Sequence, residues 1–258
     1  LDLALVHLLG ALVSLPLLAW VGLPPVAAWP FIGLSLLIHV AYYITLNGAY
    51  QHGELGATYP IMRGSAPLLV ALGSSVVLGE SLSPSAWAGV VGVTLGVAMV
   101  GLAHPGEALH HGRALRFALA NAVVIMTYTF IDGSGVRTAV SAGGTALSYV
   151  MLLFVLDGVP YPALVVLKRD AAGRRAILEY ARRRWPLAAL GGAASIGSYA
   201  IALWAMTRAP VAAVSALRET SVLFATLLGA WVLKERLGAQ RLAGAVVIVA
   251  GVVALRFG

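Results

Sequence analysis

The chain lacks cysteine and has few charged residues. None of its 258 residues is cysteine, which excludes disulfide bonds and thiolate metal sites. Charged residues make up 10% of the sequence, whereas soluble globular domains carry about 25%. The charges cluster in a few short stretches and leave long apolar segments between them, and 60% of the residues are hydrophobic. Because a soluble core of this size could not bury so many apolar segments, the composition predicts an all-α polytopic membrane protein.

Several functional motifs are missing as well. The chain has no His-Glu-x-x-His metal motif, no paired intramembrane aspartates and no Gly-x-Ser-x-Gly turn, which argues against an intramembrane enzyme. It has no glycine-rich ATP-binding loop, so active transport would use an ion or proton gradient. The net charge of +7 is explained by basic loops at a membrane surface. We therefore expect no cofactor, no metal and no nucleic-acid partner.

Nine segments are apolar enough to span a membrane, which takes about 20 residues. They are 3–21, 30–50, 56–79, 86–103, 114–134, 143–167, 186–207, 211–233 and 240–257. Prolines at or just before span starts predict hinges at Pro24-Pro25, Pro84 and Pro186. The longest connection, 168–185, mixes basic and apolar residues and is predicted to form a short amphipathic or interfacial helix.

The chain matches itself at an offset of 155 residues. Arg63 corresponds to Arg218, and the segment Leu78-Gly79-Glu80-Ser81-Leu82 corresponds to Leu233-Lys234-Glu235-Arg236-Leu237. The correspondence needs no gap between 56–102 and 211–257. An internal duplication in a membrane chain, with charges at corresponding depths, is typical of transporters built from two halves.

Extending this correspondence backwards pairs every span except 114–134. We therefore expect ten helices in an inverted repeat of five plus five, with a first helix that precedes Leu1. The predicted repeats are 1–103 and 114–257, joined by the connection 104–113. An odd number of helices in each repeat forces the two repeats into opposite orientations.

The two arginines are the main candidates for a binding site. Arg63 lies 4–5 residues before the centre of its span, roughly 7 Å from the midplane, and Arg218 is expected at a similar depth on the other side. A buried arginine costs several kcal/mol unless it is paired or faces water. One interpretation is capture of an anionic group from either side of the membrane. The other is a structural ion pair, with Glu219 or Asp132 as the partner.

Polar residues follow one face of two spans. His39, Tyr43, Asn47 and Tyr50 recur at helical spacing in one span, and Asn121, Tyr128 and Asp132 do so in another. Such faces point into the bundle or a cavity, although Tyr42 and Tyr50 could instead be interfacial anchors and His39 an interhelical hydrogen-bonding residue. The candidate substrate-binding residues are Arg63, Arg218, Tyr43, Asn47, His39, Tyr59 and Tyr128. Glu219 and Asp132 are candidates for proton coupling or charge balance.

Three smaller features concern the helices themselves. Pro60 and Pro67 bracket Arg63 and are expected to distort that helix, either for packing or to free carbonyls for a site. Gly89, Gly92 and Gly96 have the spacing of a close helix contact. Glu80 and Glu235 are predicted to cap the start of the span that follows each of them.

The two units resemble the drug/metabolite transporter superfamily, in particular its EamA-like branch. The resemblance rests on an apolar helix, a Leu-x-Glu-x-Leu turn and a glycine-rich helix, found at Leu78–Leu82 and again at Leu233–Leu237. It implies a ten-helix fold with a central cavity lined by 30–50, 56–79, 186–207, 211–233 and 114–134. Ala216–Ser221 resembles a subgroup associated with phosphonate utilisation.

These observations predict a secondary transporter that moves a small anionic or zwitterionic metabolite by alternating access around a midplane cavity. Amino acids, carboxylates and organophosphonates are the candidate solutes, and protons are the candidate coupling ion. The alternatives are an intramembrane enzyme and a non-transporting receptor or assembly subunit. The expected location is a bacterial inner membrane.

The distribution of positive charge predicts an orientation. Twelve basic residues fall on one side of the predicted membrane: Arg113, Arg116, Lys168, Arg169, Arg174, Arg175, Arg182, Arg183, Arg184, Lys234, Arg236 and Arg241. Only Arg137, Arg208 and Arg256 fall on the other. Because short basic loops remain cytoplasmic, connection 168–185 should be cytoplasmic and Gly258 external. The resemblance implies the reverse, since members of the superfamily usually keep both chain ends inside.

Overall fold

The structure is a computed structural model that describes residues 1–53, 55–101, 112–232 and 238–257, and within these ranges it contains helices and no strand. A short 3₁₀ helix, Val26–Ala28, precedes the second helix. The α-helices are α1 (Asp2–Val21), α2 (Trp29–His52), α3 (Leu55–Val77), α4 (Pro84–Gly101), α5 (Gly112–Ser141), α6 (Ala146–Asp157), α7 (Pro160–Leu167), α8 (Ala171–Met206), α9 (Val211–Arg218), α10 (Ser221–Val232) and α11 (Ala239–Arg256).

The helices have the length and surface of a membrane protein. Eight helical stretches in the described residues are long and apolar enough to cross a membrane, and Ile61–Val77 is a shorter apolar stretch. Large apolar side chains face outward, among them Val76 (85% exposed), Leu37 (69%) and Leu190 (67%). Such a surface would be costly in water but is compatible with lipid. The described parts of the nine predicted spans lie mostly on helices, so the predicted all-α polytopic class is confirmed.

The prediction for 168–185 is wrong, because these residues do not form a separate short helix. They belong mostly to α8, which runs without interruption from Ala171 through Pro186 to Met206. The side chain of Asp170 accepts a hydrogen bond from the backbone N–H of Gly173 (2.8 Å) and caps the helix start. At 1.5 Å per residue, its 36 residues extend about 54 Å, well beyond the ~30 Å hydrocarbon layer. Pro186, predicted at the start of a span, lies inside α8 and does not separate two helices.

Two predicted spans contain a break. The span 143–167 is divided into α6 and α7 at Gly158–Val159, and the span 211–233 into α9 and α10 at Glu219–Thr220. By contrast, α3 continues from Leu55 to Val77 despite its two prolines. The duplicated segments therefore differ, since only the second is interrupted, directly after Arg218.

Contacts divide the chain into two units, and unit 1 comprises Leu1–Val40 and Ile131–Arg208. Within it, α1 packs against α6, α7 and α8. Gly10 and Gly192 bring α1 and α8 into close contact, since a Cβ on Gly192 would lie 2.8 Å from the backbone N of Gly10. Tyr149 is fully buried in this unit.

Unit 2 comprises Ala41–Phe130 and Ala209–Gly258. Its closest helix pair is α4 and α11, where glycines of each helix face the other backbone. A Cβ on Gly96 would lie 2.7 Å from the backbone N of Ile248, and one on Gly89 would lie 2.8 Å from the carbonyl oxygen of Gly251. The close contact predicted from the glycine spacing is therefore present.

The prediction for Glu80 needs correction. Its carboxylate accepts a hydrogen bond from the backbone N–H of Val211 (3.0 Å to Oε2) and so caps the start of α9. The next helix, α4, is capped by Ser83, whose Oγ accepts from the N–H of Ala86 (3.1 Å). Pro210, at the N-cap of α9, provides no side-chain cap, which explains why the distant carboxylate is used there. Glu235 lies outside the described residues.

Candidate functional site

Arg63 and Glu219 form an ion pair within unit 2. The Nη2 atom of Arg63, on α3, lies 2.9 Å from Oε1 of Glu219, at the break between α9 and α10. The Glu219 side chain is 4% exposed and that of Arg63 is 20% exposed. Arg63 is thus paired with an acid from the other repeat.

Glu219 is close to a second positive charge. Arg218, half-buried at the last position of α9, interacts electrostatically with the same carboxylate. The three charged groups together carry a net charge of +1. In the described part of the chain, the buried Nε of Arg63 and Oε2 of Glu219 have no hydrogen-bond partner. Among the described residues, the cluster therefore has one unused donor and one unused acceptor.

Tyrosines surround Arg63. Tyr128, Tyr59 and Tyr42 all lie within electrostatic range of its guanidinium. The rings of Tyr42 and Tyr128 meet edge to face with centroids 6.0 Å apart, and Tyr43 packs against Tyr42 at 5.6 Å. Aromatic rings and hydroxyls can hold the apolar and polar parts of a small solute next to a charged anchor.

The polar face of the second helix is divided between different environments. His39 belongs to unit 1, whereas Tyr43 and Asn47 belong to unit 2. Asn47 is exposed. In unit 2, Asn121 donates through Nδ2 to Thr45 Oγ1 (2.8 Å) and to the carbonyl oxygen of Tyr42 (3.2 Å), linking α5 to α2. That hydrogen bonding gives Asn121 a structural role.

Asp132 lies in a separate cluster within unit 1. It is fully buried, and its Oδ1 accepts a hydrogen bond from the Tyr149 hydroxyl (3.0 Å) while Oδ2 accepts one from Tyr199. Ser35 and His39 also interact with this carboxylate. A carboxylate surrounded by hydroxyls and an imidazole is well placed to hold or exchange a proton.

The imidazole orientation is fixed by the helix that carries it. His39 Nδ1 donates to the carbonyl oxygen of Ser35 (2.9 Å), one turn earlier in α2. This contact fixes the orientation of the His39 ring next to the buried Asp132 carboxylate.

Several residues of the two clusters were not candidates in the sequence. Ser35, Tyr149 and Tyr199 give no pattern of their own, and for Tyr42 the sequence leaves an interfacial anchor as an equal alternative. The sequence indicates these residues only indirectly. Asp132 and Arg63 are ionisable groups within apolar spans and therefore require polar neighbours. Hydroxyl side chains within other spans, such as those of Tyr149 and Tyr199, are the available donors. The described residues contain no group of three or more His, Asp or Glu side chains that could hold a metal ion.

Comparison with protein families decides the assignment. The model of the EamA-like transporter family matches residues 3–102 and 115–257. The chain belongs to the EamA-like transporter family. This confirms the resemblance that the duplicated Leu-x-Glu-x-Leu turn indicated. Members of the family are membrane transporters, so this EamA-like protein is an integral membrane protein of the drug/metabolite transporter type.

Comparison with solved structures supports the same fold. One crystal structure of a protein with 18% identity matches with a TM-score of 0.75, covering 98% of this chain and 85% of that protein. At this identity the likeness concerns the fold alone. None of the curated proteins matches the chain in a sequence comparison.

Proposed function

We propose that this EamA-like protein is a secondary transporter for a small anionic or zwitterionic solute, such as an amino acid, a carboxylate or an organophosphonate. The observation that supports this most is the ion pair of Arg63 with Glu219 beside Arg218, at an interrupted helix. Interrupted helices with charged groups are a frequent setting for substrate sites in transporters. The proposed location is the inner membrane of a bacterium.

The proposed binding step is an exchange of partners at Arg63. A planar guanidinium can hold a carboxylate or phosphonate through two parallel hydrogen bonds, and Nε of Arg63 is an unused donor. An incoming anion takes Nε and displaces the Glu219 carboxylate from Nη2. An ammonium group on a zwitterionic solute donates a hydrogen bond to Oε2 of Glu219, so the same site suits zwitterions.

The proposed coupling involves a carboxylate that changes protonation during the cycle. Glu219 loses its partner when the solute binds Arg63, and a buried unpaired carboxylate is costly. Proton uptake by Glu219 removes that cost and links solute binding to a proton. Asp132 is the second candidate, because its hydroxyl and imidazole neighbours can relay a proton. Alternating access of the two repeats around the site completes the proposed mechanism.

Uptake by proteoliposomes tests the proposal. The purified chain is first screened by thermal shift against anionic, zwitterionic and cationic metabolites, and stabilising compounds are then offered as radiolabelled solutes. We expect accumulation of an anionic or zwitterionic compound, stimulated by a proton gradient, and none in protein-free liposomes. Uptake restricted to cations, or absence of uptake for every compound that stabilises the protein, would overturn it.

A further inference from the structure

A groove in unit 1 lies at the start of the long helix α8 and is lined by none of the residues of the Arg63 cluster. It has a volume of about 340 Å³ and is formed by the first turns of α1, by α7 and by the first half of α8. Its walls are almost entirely apolar, with Arg174 at the rim. The apolar wall residues include Leu5, Leu8, Val165, Ile177 and Leu178.

The groove lies at the expected boundary between hydrocarbon and headgroups. The Tyr180 hydroxyl donates to Oδ1 of Asp2, at the first residue of α1, so these two residues mark the same depth. The 20 residues of α1 extend about 30 Å, the thickness of the hydrocarbon layer. Leu5 and Leu8 therefore lie within the hydrocarbon, while Arg174, nearly two turns before Tyr180 in α8, lies among the headgroups.

The chain segment that includes the rim residue Arg174 is strongly positive. Seven exposed basic residues occur between 168 and 185: Lys168, Arg169, Arg174, Arg175, Arg182, Arg183 and Arg184. The acids in this stretch are Asp170, which caps the start of α8, and Glu179. Arg174 donates through Nε to the carbonyl oxygen of Arg169 (3.1 Å), which holds its guanidinium at the rim.

We propose that this groove binds one anionic phospholipid. One acyl chain lies along Leu5 and Leu8, and the phosphate contacts Arg174 with its basic neighbours. An apolar groove at headgroup depth with a positive rim is complementary to an anionic lipid, since basic segments next to a membrane helix attract anionic headgroups. A water-soluble anion would contact the basic rim but would form no favourable contacts with the apolar walls. The inference does not depend on the proposed transport activity.

Thermal unfolding and native mass spectrometry of the detergent-purified chain test this site. Phosphatidylglycerol is expected to raise the melting temperature by about 3 °C more than phosphatidylcholine with the same acyl chains. One phosphatidylglycerol molecule should remain bound in the mass spectrum. Arg174→Gln should lower its retention about fivefold or more, whereas the matched variant Arg113→Gln, which removes an exposed arginine in unit 2, should not.

A second variant separates the acyl chain from the headgroup. Ala181→Phe narrows the groove without changing charge, and it should reduce the retention of phosphatidylglycerol while sparing the basic rim. Glycerol phosphate, added alone, should leave the melting temperature unchanged. Equal effects of the two lipids, equal retention in Arg174→Gln and Arg113→Gln, or stabilisation by glycerol phosphate equal to that by the lipid would each overturn the proposal.

Discussion

At the scale of single residues, the ion pair of Arg63 and Glu219 satisfies two buried charges and is also the proposed anchor for the solute. A charge removed from water within a membrane span is costly alone and tolerable when paired. Glu219 is almost fully buried, whereas Arg63 keeps 20% of its side chain exposed, so Arg63 is the more accessible member of the pair. The pair is therefore well suited to open during a transport cycle.

Substitution of one or both members separates the two roles. Arg63→Ala and Glu219→Leu should each abolish uptake and destabilise the protein by about 3 kcal/mol, because each leaves an unpaired buried group. Arg63→Lys should keep part of the uptake, since an ammonium attracts an anion but cannot form the two-pronged contact. The double variant Arg63→Met/Glu219→Leu should recover most of the stability but no uptake. Stability is measured by denaturation in detergent and uptake in proteoliposomes.

The control for this series is Arg113→Ala, which removes an exposed charge and should behave like the unmodified chain. Normal uptake by the double variant would exclude a role for Arg63 and Glu219 in binding. Full stability in both single variants would instead show that the pair contributes little to the fold.

Asp132 gives a second prediction at this scale. Asp132→Asn retains an oxygen that can accept a hydrogen bond from Tyr149 or Tyr199 but cannot take up and release a proton. If Asp132 couples transport to protons, this variant should flatten the dependence of uptake on pH between about 5 and 8. Tyr149→Phe removes a hydrogen bond but keeps the carboxylate, so it should retain a pH dependence. Unchanged pH profiles in both Asp132→Asn and Glu219→Gln would rule out this coupling.

At the scale of helices, corresponding segments of the duplication differ in continuity. The α3 helix passes Arg63 without a break, whereas its counterpart ends at Arg218 and restarts at Ser221 as α10. The difference coincides with Glu219, which occupies the position of Gly64 in the other copy. The interruption places the acid at a helix end, from which it reaches Arg63 on α3.

The contact of α4 with α11 gives a prediction about stability. A Cβ on Gly96 would lie 2.7 Å from the backbone N of Ile248 and 2.8 Å from the carbonyl oxygen of Gly244. Because backbone atoms cannot move aside easily, Gly96→Ala should destabilise the protein by about 1–3 kcal/mol. In Gly197→Ala, on α8, the new methyl group meets nothing within 4 Å, and the change should be neutral or stabilising. Equal melting temperatures for the two variants in detergent would contradict the packing argument.

At the scale of the whole chain, the orientation rests on basic residues that were assigned to opposite sides of the membrane, and unit 1 contains residues from both sides. Arg169 and Arg174 lie at the start of α8, and Arg137 lies at its other end, where its Nε donates to the carbonyl oxygen of Met206 (2.7 Å). Arg208 follows Met206 by two residues in the sequence, and its guanidinium lies 5.5 Å from the ring centroid of Trp204. The two groups are separated by the length of α8, which supports assigning them to opposite sides of the membrane.

Labelling of single cysteines tests the predicted orientation in a chain that has no cysteine of its own. Because short basic loops stay in the cytoplasm, Gly173→Cys should resist an impermeant maleimide in intact cells and react after the cells are opened. Ser141→Cys, exposed at the end of α5, is the matched position and should react from outside. The reverse pattern would show that the chain follows the usual orientation of its superfamily and that the charge count is misleading.

The sequence by itself was sufficient for the membrane class, the nine spans and the family. Apolar runs of this length leave helices across a bilayer as the available structure, and the duplicated turn at Leu78–Leu82 and Leu233–Leu237 indicated the family. It also identified Arg63, Glu219 and Asp132 as groups that need partners. Hydropathy did not show that α8 continues through Pro186, because the charged first half is helical without being apolar.

Only the tertiary structure decided which groups meet. Sequence adjacency suggested Arg218 as the partner of Glu219, yet the carboxylate contacts Arg63 from another helix. In the same way, Glu80 caps α9 rather than the helix that follows it, and Asp132 is held by Tyr149 and Tyr199. Local propensity and hydropathy depend on neighbours along the chain, whereas these contacts depend on how distant helices pack, and no pattern within one segment records that packing.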